Sequence, residues 1–525
     1  MKPVLRLLSC VCQSSTYRPD MALRGRLGVK QTNTLSILTA VVQKIPLQDF
    51  PIETQLTAIT GLFQVSAYTT SISEKSRRMG EKPDVTKFDY LQCSIPDIHG
   101  VPRGRVVPRH LIPRVLRDGF GLFQGIGNFG MNMEIPYDIE EYASTHYANG
   151  IIMPLPDTAF EMKWSSTPKR RIGHAISSLL FSNGEQDPVC SRHTAQRQID
   201  RLKKMGMKIK SAYEMEFMVF ESEDASKPMG GGKKQYGNME LLDENLDFFL
   251  DLMDTLRDSG LPVEFFNNEF DEGQYEITME PRTGIEAADA VFLARYGIRA
   301  FSRRRGYNST FMARPAYPQN ANGFHLNHSL WTKDGKDVFF DEADPQRLSV
   351  FARQWIAGLL HHTPGLCALF SPTVNCYQRF SSGLAPNTVY WNIDDRTCTF
   401  RAKTSSTGAY LENRLPSSAC NPYLTLSATI AAGLDGVERK LECPQPGPPK
   451  EGEKAGPVIP KTLDEALDCL NKDTVLKEAV GAKVVDYFTL LKRQFEIKHF
   501  ENNATPDMSK AERIEIERKY YMPYL

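Results

Sequence analysis

Residues 211–221 read SAYEMEFMVFE, a run of Tyr, Met, Phe and Val with the spacing of a buried β-strand and two acids inside it. In a strand, residues i and i+2 share a face, so Glu214 and Glu216 look the same way while Met215 and Phe217 face the core. Two negative charges side by side on one face of an otherwise buried strand need an explanation.

The pattern recurs. Glu269 and Glu276 flank the turn of NNEFDEGQYEI, His325 and Asn327 form an i, i+2 pair in NGFHLNHSLW, and Glu412 and Arg414 form another in YLENRLP. Each alone has an ordinary reading: a strand Glu usually faces solvent, and a single His is usually a satisfied core residue. Converging faces would put five glutamates and a histidine in one cavity. Like charges roughly 4 Å apart repel by several kcal/mol at an effective dielectric near 20, so they need compensation. Oxygen donors with one imidazole suit Mg²⁺ or Mn²⁺, and the lack of thiolates argues against structural zinc. Arg379, Arg396, Arg401 and Arg414 lie close in sequence, and arginine suits bidentate contact with phosphate or carboxylate. Metals beside arginines fit phosphoryl transfer. GGGKK (230–234) lacks the spacing of a Walker loop and its following Ser/Thr, so any nucleotide would be held by metals and arginines.

Lys+Arg and Asp+Glu each total 63, which leaves no global field for nucleic acid or an anionic membrane. No run reaches the roughly 18–20 apolar residues of a membrane span. The ten cysteines contain no CxxC pair and fit a reducing cytoplasm. The sequons at Asn308, Asn327 and Asn503 then read as coincidences. Residues 1–47 carry seven Lys or Arg against Asp20 alone. The expectation is a disordered extension over 1–84, with a mitochondrial transit peptide as the lesser alternative.

Patterned structure begins near Lys87. KFDYLQCSIPDIHGVPRGRVVP reads as a hairpin turning at His99-Gly100. Helices are predicted over 192–204, 239–260, 287–306, 345–361 and 421–439, with strands at 307–314, 323–331, 388–393 and 397–402. The span 444–460 is predicted to be an exposed loop, and the C-terminus helical. The fold class is α+β: a small β-rich domain over 85–185, then a large domain with an antiparallel sheet over 186–525.

AYEMEF, NEFDEGQYE, FMARPAYPQNANGFHLNHSLW, PTVNCYQRF, DDRTCTFR, LENRLP and SSACNPYLTLSATIAAGLDG follow one another in the order of the glutamine synthetase family, class I type, which the chain resembles from about residue 85 onward. The resemblance implies a β-grasp-like small domain and a catalytic-type large one. By position it implies that Glu216, Glu269 and Glu276 hold one metal and Glu214, His325 and Glu412 the other. Asn320, Arg379 and Arg414 would contact glutamate, and Arg396 and Arg401 the ATP phosphates. It also implies a homo-oligomer, a dodecamer of two hexameric rings.

The departures are specific. Gln124 stands in FQGIGNFG where the family has an ammonium-handling Asp, and an amide has no basic carboxylate. The flap reads SSGLAP, with Leu384 in place of its Glu. Ala321 replaces a Gly, Asn327 a second His, and Asp394 an Arg near the phosphates. A kept metal shell with a lost amine-activating apparatus resembles the vertebrate lens branch of the family, regarded as non-catalytic. That implies a structural or chaperone-like scaffold in lens fibre cells, with cytoskeletal, intermediate-filament partners. Two alternatives stay open: an active ATP-dependent glutamate–amine ligase, and a sensor that binds ATP or glutamate without turnover.

Overall fold

Two sheets carry the chain's polar faces. The computed structural model describes residues 84–525 apart from 138, 223–226, 231–232, 382–384, 451–455 and 506. The expectations for residues 1–83 and for Leu384 lie outside the described residues.

The first sheet uses β1 (Tyr90–Pro96), β2 (Pro102–Pro108), β3 (Phe120–Phe123), β4 (Asn149–Pro154), β5 (Phe160–Glu161) and β6 (Ile172–Leu180) in the order β2-β1-β6-β4-β3, with β5 on β6. The β1–β2 hairpin turns at His99-Gly100 as expected, and Gly100 takes φ +78° there, a conformation that favours glycine. Leu91, Cys93 and Ile95 alternate into the core beneath β1.

The second sheet has nine strands: β7 (Met207–Phe220), β8 (Val263–Asn268), β9 (Gln274–Met279), β10 (Arg282–Thr283), β11 (Asn308–Thr310), β12 (Phe324–Thr332), β13 (Trp391–Ile393), β14 (Phe400–Thr404) and β15 (Ala409–Asn413). Its main path runs β13-β14-β15-β12-β7-β9-β8, antiparallel except for β13 with β14. With two separate sheets and helices packed against them, the architecture is α+β.

Helices α1 (Ser191–Lys204), α2 (Met239–Asp243), α3 (Leu246–Asp258), α4 (Glu286–Arg304), α5 (Val350–Phe370) and α6 (Pro422–Glu438) cover the apolar side. The single helix expected over 239–260 is broken between α2 and α3, where Asn245 leaves helical geometry (φ −127°, ψ 20°). Helix α5 runs nine residues beyond the expected 361, and Pro364 lies inside it. Helices α5 and α6 pack closely. A Cβ at Gly358 would stand 2.1 Å from the Ala432 carbonyl oxygen, so that crossing needs a glycine. Met215, Phe217, Tyr275 and Ile277 send their side chains into the same buried core, so Glu214, Glu216 and Glu276 point the other way.

Candidate functional site

Strand register assembles the site. Glu214 on β7 pairs with His325 on β12, Glu216 with Glu276 on β9, and Glu412 on β15 with both Asn327 and Arg401. Directly paired residues share a face, so five adjacent strands present one continuous polar surface. A cavity of about 770 Å³ opens on it, lined among others by Glu214, Glu216, Glu269, Glu276, His325, Arg379, Arg396, Arg401 and Arg414.

The expected convergence is therefore present, and its two halves differ. Glu214, His325 and the buried Glu412 bring ligand atoms within 4.8 Å of one another. His325 Nδ1 lies 3.1 Å from Glu214 Oε2 and 3.4 Å from Glu412 Oε1. Asn327 Nδ2 donates to Glu214 Oε1 at 2.8 Å, so this Asn orients the carboxylate from the far side. Burial opposes the Glu214 charge, but His325 and Asn327 outweigh it and hold the carboxyl low, at about 2.

Glu216, Glu269 and Glu276 share the cavity at wider spacing. Burial and the neighbouring Glu216 push Glu269 up to about 8. Burial, Glu214 and Glu216 push Glu276 up to about 9. These are acids packed without enough positive charge, the circumstance in which a divalent cation is most favourable. Five carboxylates and one imidazole form a hard-donor set that fits Mg²⁺ or Mn²⁺.

The arginines lie beside the acids along the same cavity. Arg379 is buried, and its guanidinium donates to the carbonyls of Leu415 (3.1 Å) and Arg414 (2.9 Å). Arg401 Nη1 donates to Glu412 Oε2 at 3.0 Å, and Arg414 donates to the other Glu412 oxygen. Arg401 also donates to Asp394, whose carboxylate is 66% exposed. Asp394 thus sits on the guanidinium rather than against the glutamates. Asn320 lines the cavity while its backbone N–H donates to Asp271.

Gln124 is elsewhere. It is buried in the first sheet's surroundings, and its amide donates to Asp187. Sequence reasoning missed Lys403 on β14, two residues from Arg401; the i, i+2 rule that found the glutamates would have found it. It also missed Asp271, and the stacked rings of Tyr236 and Phe270 at the cavity wall. Phe270 directly follows Glu269 in sequence, which was the available signal.

A profile of the glutamine synthetase catalytic domain matches residues 188–511, well over half of the chain. The chain belongs to the glutamine synthetase family. It is 30% identical to glutamine synthetase of Methanococcus voltae over 422 residues, covering 78% of this chain and 92% of that protein. It is 28% identical to lengsin of Canis lupus familiaris over 460 residues, 83% of this chain and 76% of that one. Among solved structures, an ADP complex of GmaS superposes with a TM-score of 0.70 at 25% identity, covering 83% of this chain and 97% of that one. A glutamine synthase homologue superposes with a TM-score of 0.71 at 23% identity, covering 84% and 100%, a likeness of fold. Among the described residues, no helix is long and apolar enough to cross a membrane.

Proposed function

We propose that this chain is an ATP-dependent ligase joining glutamate to a primary amine other than ammonia. The observation that carries the reading is one open cavity with an undiminished acid–imidazole face and an arginine wall. In this reading residues 85–185 and 186–525 are its two functional domains.

Each group then has a task. Arg379, held by two carbonyls, presents a fixed guanidinium edge to the substrate carboxylate, with Arg414 and Asn320 beside it. Arg396, Arg401 and Lys403 offer cationic contacts for phosphate oxygens. Arg401 must exchange Asp394 for that contact, and Asp394 can release it into water because it is exposed. Glu214, His325 and Glu412, and on the other side Glu216, Glu269 and Glu276, would hold Mg²⁺ or Mn²⁺, which when bound neutralises phosphate charge. His325 and Asn327 keep the Glu214 carboxylate ionised and aimed. Gln124 cannot serve as a base for ammonium, since its amide is not basic and donates to Asp187 within the same chain.

That same Gln124 contact favours a second reading, a non-catalytic scaffold of the lengsin kind with cytoskeletal or chaperone-like partners in lens fibre cells. A homo-oligomer, a dodecamer of two hexameric rings in the cytoplasm, is part of either reading.

The test is ADP release by the full chain with Mg²⁺ or Mn²⁺, glutamate and a panel of amines, alongside sizing of the assembly. Turnover above about 0.1 s⁻¹ with any amine, in the low range of ordinary enzymes, supports the ligase. Silence across the panel from a folded oligomer overturns it in favour of the scaffold.

A further inference from the structure

Two aromatic rings on a polar wall ask for an explanation. Tyr236 and Phe270 stack with ring centroids 4.5 Å apart and planes 14° from parallel. They remain 53% and 44% exposed, and both line the cavity next to Glu269 and Asn267. Exposed apolar surface rimmed by polar groups marks a contact site more often than chance.

The pair is held from behind. Gln235 N–H donates to the Phe270 carbonyl (3.2 Å) and Gly237 N–H to the Asn268 carbonyl (3.2 Å). The segment around Tyr236 is thereby laced to the chain leaving β8. The buried Gln235 amide donates to the Asp271 carbonyl (3.0 Å), and Asn268 Nδ2 donates to the Asn238 carbonyl (3.0 Å). Gly237 takes φ +64°, the left-handed turn that lets this segment lie alongside. The backbone under both rings is held by these bonds, and an aromatic surface on a held backbone binds at lower entropic cost.

We propose that the Tyr236–Phe270 pair seats the side chain of the amine substrate, and that this substrate is an arylalkylamine. The inference rests on the ligase reading above and names its second substrate. A flat ring lies against the exposed aromatic surface, while its ammonium faces the acidic side of the cavity around Glu269. Ammonia and methylamine have nothing to place on the rings. The group transfer is acyl transfer to nitrogen. The amine lone pair forms the C–N bond at the γ-carbonyl of glutamyl phosphate as the C–O bond to the phosphate breaks. Phosphate leaves with that electron pair and takes one proton of the original ammonium, and water takes the other.

The experiment uses the full-length protein with ATP, Mg²⁺ and glutamate. ADP release is measured against ammonium, methylamine, n-hexylamine and 2-phenylethylamine, and 2-phenylethylamine binding is measured separately by calorimetry. The expected result is a kcat/KM for 2-phenylethylamine at least tenfold above that for methylamine. Phe270→Ala should cut that ratio about tenfold, Phe270→Tyr should retain it, and the Kd for ATP should be the same in all three proteins. Equal kcat/KM for all four amines overturns the proposal. So does a Phe270→Ala protein whose ATP affinity falls, which makes the rings a base platform, or whose assembly size changes, which makes them a subunit contact. Should no amine give turnover, the ligase reading fails on its own. Saturable 2-phenylethylamine binding lost in Phe270→Ala would then still support the aromatic seat, and its absence would overturn the seat as well.

Discussion

His325 stands directly opposite Glu214 in the register of β12 and β7, with its Nδ1 3.1 Å from a carboxylate oxygen. Cross-strand pairing places the two side chains on one face, and with Glu412 their ligand atoms lie within 4.8 Å of one another. A metal that binds the folded chain alone stabilises it by RT ln(1 + [L]/Kd), about 2.7 kcal/mol at a hundredfold excess over Kd. Mn²⁺ titration should therefore raise the Tm of the wild-type protein, and Glu214→Gln or His325→Ala should remove most of that rise. A Tm flat from micromolar to millimolar Mn²⁺ would sink the metal assignment.

Gly323 fits under the same histidine. A Cβ there would lie 2.7 Å from His325 Nε2, 2.9 Å from Glu216 Oε1 and 3.1 Å from an Arg379 nitrogen. Its N–H also donates to Glu216 Oε2 at 2.7 Å. Gly323→Ala should cost about 1–3 kcal/mol of stability through overpacking and should weaken metal binding by displacing two ligands together. Denaturant unfolding with and without Mn²⁺ checks both effects. Unchanged metal affinity would mean that the ligands relax freely.

How much of this was legible in the sequence follows from which interactions are local. Period-two alternation exposed Glu214 and Glu216 as a pair and placed Met215 and Phe217 in the core, since strand geometry alone decides that. Helix α4 and the β1–β2 hairpin were readable for the same reason. The break at Asn245 was not, because apolar spacing continues through it. Spacing paired Glu412 with Arg414, but it could not reveal that Arg401 reaches Glu412 from the neighbouring strand, or that Tyr236 meets Phe270 from a separate loop. The family motifs supplied the grouping of acids that periodicity could not.

Gln124 shows why restoring a lost acid is not a simple reversal. Its amide donates to Asp187, whose carboxyl burial pushes up to about 6. Gln124→Asp would replace the donor with a second buried carboxylate and cost about 1–3 kcal/mol at neutral pH. The variant should recover stability as pH falls through the carboxylate range, where one acid takes up a proton. Adding Asp187→Asn should return a donor to the pair, with a coupling of about 0.5–3 kcal/mol in the double-mutant cycle. Additive effects would show that the two side chains do not interact.

His362 gives the clearest pH dependence away from the cavity. On α5 its Nδ1 lies 2.6 Å from Asp473 and its Nε2 3.0 Å from Asp435 on α6. Burial opposes the imidazolium, but the two carboxylates prevail and raise its pKa above the ordinary value. Arg439 shares Asp435 at 2.9 Å, and the His361 ring lies 4.8 Å away. A base whose pKa is higher folded than unfolded binds more protons in the native state, so stability falls with rising pH across that interval. The contribution is full below about pH 6.5, the unfolded value, and is lost as pH rises through the folded one. Charge-assisted hydrogen bonds contribute about 1.5–3 kcal/mol each, so the clamp is measurable in a chain of this size. His362→Gln should lose stability most at pH 6 and least at pH 9, read as the gap between wild-type and variant urea midpoints. A gap that does not change between those pH values would mean that the histidine packs there uncharged.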